Sequence, residues 1–205
     1  MSLITCVDDL RRLHKRRVPK MFYDYSESGS WTESTFVRNE SVFNEILLRQ
    51  RVAVDLTNRS QSKEILGERW AMPVALAPTG MAGMQCSDGE IKAAQAAEEF
   101  GVPFTLSTMS ICSIEDVAEN TSKPFWFQLY VMKDRRFVES LIDRAKKANC
   151  SALVLTLDLQ ILGQRHKDIK NQLSAPPRLT IKNLVNMMTK PRWCMGMLAT
   201  RRHQF

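Results

Sequence analysis

From residue 73 onward one unit recurs four times: a short apolar run, small or polar residues at its carboxyl end, then a segment with helical start signals. The runs cover residues 74–77, 103–107, 124–130 and 152–158. Short apolar runs bounded by turn chemistry and separated by helix-length segments read as the parallel strands of an α/β fold. The first run is apolar without alternation, the pattern of a strand buried on both faces, and Pro78-Thr79-Gly80 stop it. The segments between the runs carry helix caps. In Ser87-Asp88-Gly89-Glu90 the Ser and Glu side chains can satisfy each other's free backbone N–H groups as a capping box, and that helix ends before Gly101. Ser113 opens a helix through Ala118, and after Asp134 the residues Phe137, Val138, Leu141, Ile142 and Ala145 share one face.

Strands joined by helical crossovers point the same way, so all four carboxyl ends open on one side of the sheet. That side receives Thr79, Gly80, Ser107, Gln128, Tyr130 and Thr156. Apart from the glycine these are uncharged hydrogen-bonding groups on apolar strands. One polar strand end usually only turns a corner; four in succession suit a flat heteroaromatic ligand with donors and acceptors around its edge. Gly80 and Gly83 let the backbone come close to such a ligand. An open flavodoxin-like sheet is the competing architecture, disfavoured because no Gly-rich phosphate loop follows any strand.

Residues 1–70 read as an N-terminal cap on this sheet. A helix is expected at 7–15, with Val7, Leu10 and Leu13 on one face and Pro19 beyond it. An aromatic segment, 20–25, stops at the breaker-rich 26–30. A helical pattern spans 35–48 with an interruption near Asn39, residues 51–56 alternate as a strand would, and Leu66-Gly67-Glu68-Arg69 offers a turn.

Charge and cysteine usage narrow the partners. The net charge of +7 could attract nucleic acid, anionic lipid or an acidic substrate, but it is concentrated at 11–17 and 190–202 with no nucleic-acid motif between, and the first cluster reads as a solvated helix face. The five cysteines are scattered and show no metal-binding spacing, so we expect reduced thiols, no disulfide framework and no metal. No run approaches the ~20 apolar residues of a membrane-spanning helix, and the start lacks a secretory core, which places the expected protein in the cytoplasm.

Read together, several motifs resemble one family. Pro19-Lys20-Met21-Phe22-Tyr23-Asp24-Tyr25, Ala77-Pro78-Thr79-Gly80, Leu106-Ser107-Thr108, Trp126-Phe127-Gln128-Leu129-Tyr130, Leu155-Thr156-Leu157-Asp158, Gly163-Gln164-Arg165 and Asp168-Ile169-Lys170-Asn171 occur in unbroken order. The chain resembles the N-terminal half of the FMN-dependent α-hydroxy-acid dehydrogenases and oxidases, the family of L-lactate dehydrogenase, mandelate dehydrogenase and glycolate oxidase. The resemblance implies a (β/α)8 TIM barrel of which residues 71–172 supply the first four βα units. It implies that Pro78, Thr79 and Gly80 lie against FMN, that Ser107, Gln128 and Thr156 bond its polar edge, and that Tyr25, Tyr130 and Arg165 form the substrate shell. Arg165 is suited to grip a carboxylate bidentately.

The implied activity is oxidation of an L-2-hydroxy acid, foremost L-lactate to pyruvate. Gly80, where oxidases usually carry Ala, favours a quinone or other carrier as electron acceptor over oxygen. The family's proton-removing histidine lies in the C-terminal half, beyond Phe205; His14, His166 and His203 stand at other positions, so no catalytic residue is expected in this chain. We expect a truncated product, inactive alone or completed by a missing part, and homo-oligomeric at full length. The alternative is a non-catalytic half-barrel that binds a partner subunit or membrane. Residues 173–205 read as a basic, Met-rich loop that either packs on the other half or rests peripherally on the inner face of the cell membrane.

Overall fold

The structure, a computed structural model, describes residues 3–158, 161, 163–174 and 180–202. Helix α1 (Val7–Arg17) carries Asp8 and Asp9 in its first turn and His14 to Arg17 in its last, each sign at the end where the helix dipole favours it. The backbone N–H of Val18 closes it on His14 O at 2.9 Å, and Pro19 follows. The aromatic segment is itself helical: α2 (Lys20–Ser26) buries Met21, Phe22 and Asp24. Helix α3 (Ser34–Ser41) tightens into a 3-10 turn at Val42–Glu45, so the expected interruption comes at its end and not near Asn39.

The strand expected at 51–56 does not form. These residues are exposed and have no ladder partner, and alternation without a neighbouring strand holds nothing in place. A hairpin follows instead, β1 (Lys63–Ile65) antiparallel to β2 (Glu68–Trp70). Its two-residue turn holds Leu66 at φ 52 and Gly67 at φ 76, the left-handed pair that matches strand twist.

The first of the four runs also departs from expectation. Residues 74–77 form only a bridge, in which Leu76 N–H donates to Pro103 O at 2.9 Å and Leu76 O accepts from Thr105 N–H at 3.1 Å. Val74 and Leu76 are exposed, so the run is not buried on both faces. Pro73 and Pro78 remove donors at both ends of a segment with a neighbour on one side only.

Short α4 (Ala82–Gln85) leads to α5 (Gly89–Phe100), which ends on Gly101 at φ 85 as expected. The capping box at its start is absent. Asp88, not Ser87, is the N-cap, in left-handed conformation and without a side-chain cap, and Glu90 turns inward. Three strands then form one parallel sheet in the order β3 (Thr105–Ser107), β4 (Trp126–Leu129), β5 (Ala152–Leu155). Between them, α6 (Ile114–Glu119) starts on a capping box of Ser113 and Asp116, and α7 (Arg135–Lys147) starts on Asp134, whose Oδ1 accepts from the N–H groups of Arg136 and Phe137. Leu106, Phe127 and Leu129 pack with Ala94, Val117 and Leu141 in the main core.

After β5 come α8 (His166–Asn171), α9 (Ile181–Met188) and α10 (Pro191–Ala199). The stretch expected as a loop at 173–205 therefore holds two helices, α9 capped by Thr180 and α10 begun by Pro191, a residue favoured in the first turn. Met187 joins Val18, Met21 and Phe22 in a second core, with Trp193 packed against it.

The chain's end is fastened by charge. Arg202 pairs with Asp116 at 2.7 Å and Asp88 at 3.1 Å. Burial pushes the Asp116 carboxyl up, but Arg202 and the Ser113 N–H and hydroxyl together hold it below the usual carboxylate range. A depressed folded-state pKa gives stability that is present above the ordinary carboxylate pKa and lost as pH falls through the folded one. Urea midpoints should therefore fall on acidification below about pH 4, the ordinary Asp value, and the fall should be shallower in Asp116→Asn.

Candidate active site

The parallel register sets Ser107 opposite Gln128 and Gln128 opposite Val154, and Thr156 lies two residues further along the β5 chain, on the same face. Gln128 is 1% exposed. Its Oε1 accepts from Ser107 Oγ at 3.2 Å and from Thr108 N–H at 3.3 Å, while its Nε2 donates to Thr156 Oγ1 at 2.7 Å. Ser107 Oγ in turn accepts from Met109 N–H at 3.1 Å. One hydrogen-bonded chain thus crosses three strand ends and fixes which side of the amide faces which strand. Thr156 accepts from Gln128, so its own hydroxyl proton has no acceptor among the described residues, and Gln128 retains a second amide hydrogen.

Thr108, the last residue of the Leu106-Ser107-Thr108 motif, is a further member of this network that its residue type alone does not reveal. Its hydroxyl donates to Gln128 O at 2.6 Å and accepts from Tyr130 N–H at 3.2 Å, which fixes the chain where Tyr130 leaves the sheet. Its place directly after the strand-end serine was the available signal.

A second group gathers around Gly80. Pro78 and Thr79 are exposed, and a Cβ on Gly80 would meet Tyr25 Oη at 3.1 Å and Met109 Cβ at 3.3 Å. Arg165 Cζ lies 4.8 Å from the Tyr25 ring centroid, a cation–π contact. Its Nη2 donates to Tyr25 O, to Ser28 O at 3.2 Å and to Ser28 Oγ at 2.8 Å. Its Nε is 3.0 Å from Asp168 Oδ2, an ion pair by distance whose N–H points off the hydrogen-bond line. The guanidinium is thus largely committed to holding the chain through Nη2, while Nε has an ion pair but no hydrogen bond and Nη1 has neither among the described residues. Burial pushes the Tyr25 phenol up, opposed by Arg165 and reinforced by Tyr130, whose phenol interacts with it electrostatically. Burial likewise raises Asp168 despite Arg165.

Met109 links the two groups. Its N–H bonds Ser107, and its carbonyl accepts from Met81 N–H at 2.9 Å, one residue beyond Gly80. Beneath this link Glu90, 2% exposed, accepts through Oε1 from Gly83 N–H at 2.9 Å and Ile111 N–H at 3.0 Å. Sequence reasoning placed Glu90 in a cap and missed this role, since a local cap pattern does not reveal a distant acceptor. The structure therefore brings Ser107, Gln128 and Thr156 into direct contact and sets Tyr25, Gly80 and Arg165 together beside them. His14 and His166 lie elsewhere, the first bonded to Gln85 at 2.7 Å and the second edge-on to Trp31 at 6.4 Å. His203 lies outside the described residues.

The family described as FMN-dependent dehydrogenase matches residues 14–205. The chain belongs to this family. Among curated relatives, L-lactate dehydrogenase of Haemophilus influenzae (strain PittEE) is 45% identical over 191 residues, covering 93% of this chain and 50% of the relative. L-lactate dehydrogenase of Vibrio parahaemolyticus is 42% identical over 193 residues, covering 94% and 51%. Among solved structures, the monotopic membrane protein (S)-mandelate dehydrogenase aligns with TM-score 0.90 and 35% identity over 100% of this chain and 54% of that one. A soluble mutant of the membrane-associated (S)-mandelate dehydrogenase from Pseudomonas putida aligns with TM-score 0.79 and 36% identity, covering 96% and 56%. The chain spans about half the length of the curated relatives it matches. The four strand positions of this chain are accordingly the first part of the TIM barrel expected from its motifs.

The strand-end residues fit FMN. The unspent hydroxyl hydrogen of Thr156 would supply a donor for the polar edge of a planar ring, and the exposed Pro78-Thr79 step, beside a glycine where a Cβ would crowd Tyr25 and Met109, would supply a flat approach.

Proposed function

We propose that this chain provides the flavin edge and part of the substrate shell for FMN-dependent oxidation of an L-2-hydroxy acid, foremost L-lactate to pyruvate. Bound FMN supplies the two-electron acceptor. The hydrogen-bonded chain Ser107–Gln128–Thr156 carries this reading: it fixes the buried Gln128 amide and leaves the Thr156 hydroxyl proton free to donate, and a pre-oriented donor would stabilise charge that develops during reduction. Pro78, Thr79 and Gly80 bound the ring's approach. Tyr25 and Tyr130 orient the substrate through their phenols, and Arg165 offers Nη1 to its carboxylate from a position fixed by Tyr25, Ser28 and Asp168. The histidine that takes the substrate's proton is not supplied by these strand ends.

In this reading the chain divides into a cap at 1–70, a half-barrel at 71–172 and a membrane-facing segment at 173–205. The membrane-associated relatives support a quinone as acceptor. No helix among the described residues is long and apolar enough to cross a membrane. On α9, however, Ile181, Leu184, Val185 and Met188 are exposed at helical spacing, flanked by Lys182 and Lys190, a pattern suited to lying in a lipid interface. Each such side chain contributes about 1.5–3 kcal/mol when buried. Leu184→Asp with Val185→Asp should thus lower co-sedimentation with phosphatidylglycerol vesicles by more than about tenfold.

Flavin binding is tested by titrating the purified chain with FMN and following flavin fluorescence. Saturable quenching is expected, without bleaching on L-lactate while the base is absent. A chain with native circular dichroism that leaves FMN fluorescence unchanged at saturating concentrations would overturn the reading.

A further inference from the structure

Arg165 makes contacts of two kinds. Its Nη2 donates to Tyr25 O, Ser28 O and Ser28 Oγ, and its guanidinium lies over the Tyr25 ring. These groups belong to the cap and set the plane of the fork. The cap is itself tied to this segment: Trp31 N–H donates to Gln164 O at 2.9 Å, and Lys167 Nζ donates to Glu27 O at 2.9 Å and pairs with Glu33 at 3.1 Å. Asp168 touches the same guanidinium in another way. Its Oδ2 lies 3.0 Å from Arg165 Nε, yet that N–H makes no hydrogen bond, and Oδ1 is buried with no hydrogen-bond partner among the described residues. A carboxylate that makes no directed bond to a guanidinium acts on it through charge rather than through aim.

The charge state of this pair decides what an incoming carboxylate meets. With Asp168 ionised the pair is neutral; with Asp168 protonated it carries one positive charge, since a guanidinium keeps its proton. Burial pushes the Asp168 carboxyl above its ordinary value, opposed by Arg165 and Lys167 and reinforced by Asp24. Asp24 faces it from α2, the helix packed on α8, and is paired with Lys20; the Tyr25 phenol, also on α2, interacts with it as well. We propose that Asp168 is a proton-operated counter-charge on Arg165, restraining the arginine's hold on a substrate carboxylate while ionised and lifting that restraint by taking up a proton from solvent as the carboxylate binds, an assignment that rests on the carboxylate role proposed above for Arg165. The coupling is reciprocal: a carboxylate at Arg165 draws a proton onto Asp168, and a proton on Asp168 tightens the carboxylate. Affinity therefore rises as pH falls toward the Asp168 titration.

The test follows the Nε–Hε resonance of Arg165 by NMR in the isotope-labelled chain, identified by its loss in Arg165→Lys, with pyruvate as the probe and no FMN present. Pyruvate should shift it saturably, with affinity rising about tenfold from about pH 8 to about pH 5, the effect of one unit charge a few ångströms away in a partly buried site. Calorimetry in buffers of different ionisation enthalpy should show proton uptake on binding toward the lower pH. Asp168→Asn should bind pyruvate at about pH 8 as tightly as the unmodified chain does at about pH 5, without proton uptake. Ser28→Ala, which removes a bond that aims Nη2, should weaken pyruvate at every pH and leave the pH dependence in place. Equal pH dependence in the unmodified chain and in Asp168→Asn, weaker binding by Asp168→Asn at every pH, or binding by the unmodified chain without proton uptake would each overturn the proposal, the last of these whether or not Asp168→Asn folds. A resonance that pyruvate leaves unmoved in every protein would instead remove Arg165 from the proposed substrate shell, and the counter-charge role with it, while the FMN quenching that tests the flavin edge stands apart.

Discussion

Gln128→Leu should cost this protein much of its stability and all of its saturable FMN quenching. The substitution keeps the side chain's bulk but removes an amide that three groups use, the Ser107 hydroxyl, Thr108 N–H and the Thr156 hydroxyl. Thr108 N–H and the Ser107 hydroxyl lose their acceptor in a buried setting, and each unsatisfied donor costs about 1–3 kcal/mol. The sum, about 2–6 kcal/mol, is a large part of the roughly 5–15 kcal/mol that keeps a domain folded. Thr156→Val separates the two consequences. It deletes one hydroxyl, the acceptor of Gln128 Nε2–H, so stability should fall by about 1–3 kcal/mol, half the loss in Gln128→Leu, while FMN still binds saturably with affinity lowered about tenfold, the worth of one hydrogen bond to a ligand. If Thr156→Val binds FMN as tightly as the unmodified chain, the proposed donor role of the strand ends fails.

Glu90→Ala should be nearly as damaging, through backbone groups alone. Oε1 of Glu90 is the acceptor for both Gly83 N–H, in α4 after the first strand position, and Ile111 N–H, in the loop that follows β3. Deleting it strands two buried donors, again about 2–6 kcal/mol. Glu90→Gln retains an oxygen in the same place and should recover most of the loss. Cys112 offers a direct readout. Burial, and then Glu90, push its thiol up to about 12, so in the intact protein it is buried and protonated and resists alkylation while exposed Cys6 and Cys86 react. Glu90→Ala should bring Cys112 into reaction at the same denaturant concentration; mass spectrometry of iodoacetamide adducts reads this site by site. Equal Cys112 protection in both proteins would mean that Glu90 does not hold these segments.

The repeating architecture was legible because it rests on local signals that tertiary packing reinforces: Ser113 and Asp134 cap helices where expected, Gly101 ends one, and the runs at β3, β4 and β5 pair in parallel. The residues at the strand ends were legible for the same reason, since strand direction dictates which side they reach. What failed needed knowledge of neighbours. Residues 51–56 alternate but find no partner, 74–77 has a partner on one side only, and Glu90 obeys a capping pattern while its real acceptor role spans to Ile111. Of the hairpin only the turn at Leu66-Gly67 was legible, because its strands are three residues long and the turn places Leu66, not an Asn, at positive φ. Arg165 shows a subtler gap: residue type indicates a carboxylate grip, but only coordinates reveal how much of the guanidinium serves the carbonyls of Tyr25 and Ser28.

The last helix is bolted to the rest at several points within a few residues of one another. Trp193 Nε1 donates to Met84 O at 2.8 Å, Gly196 leaves room for Ser87 where a Cβ would sit 3.0 Å from its Oγ, and Thr200 Oγ1 donates to Asp88 at 2.8 Å. All three anchor points lie on the stretch that runs from Gly80 to α5. A displacement of α10 would therefore pull directly on the rim that runs from Gly80 to α5.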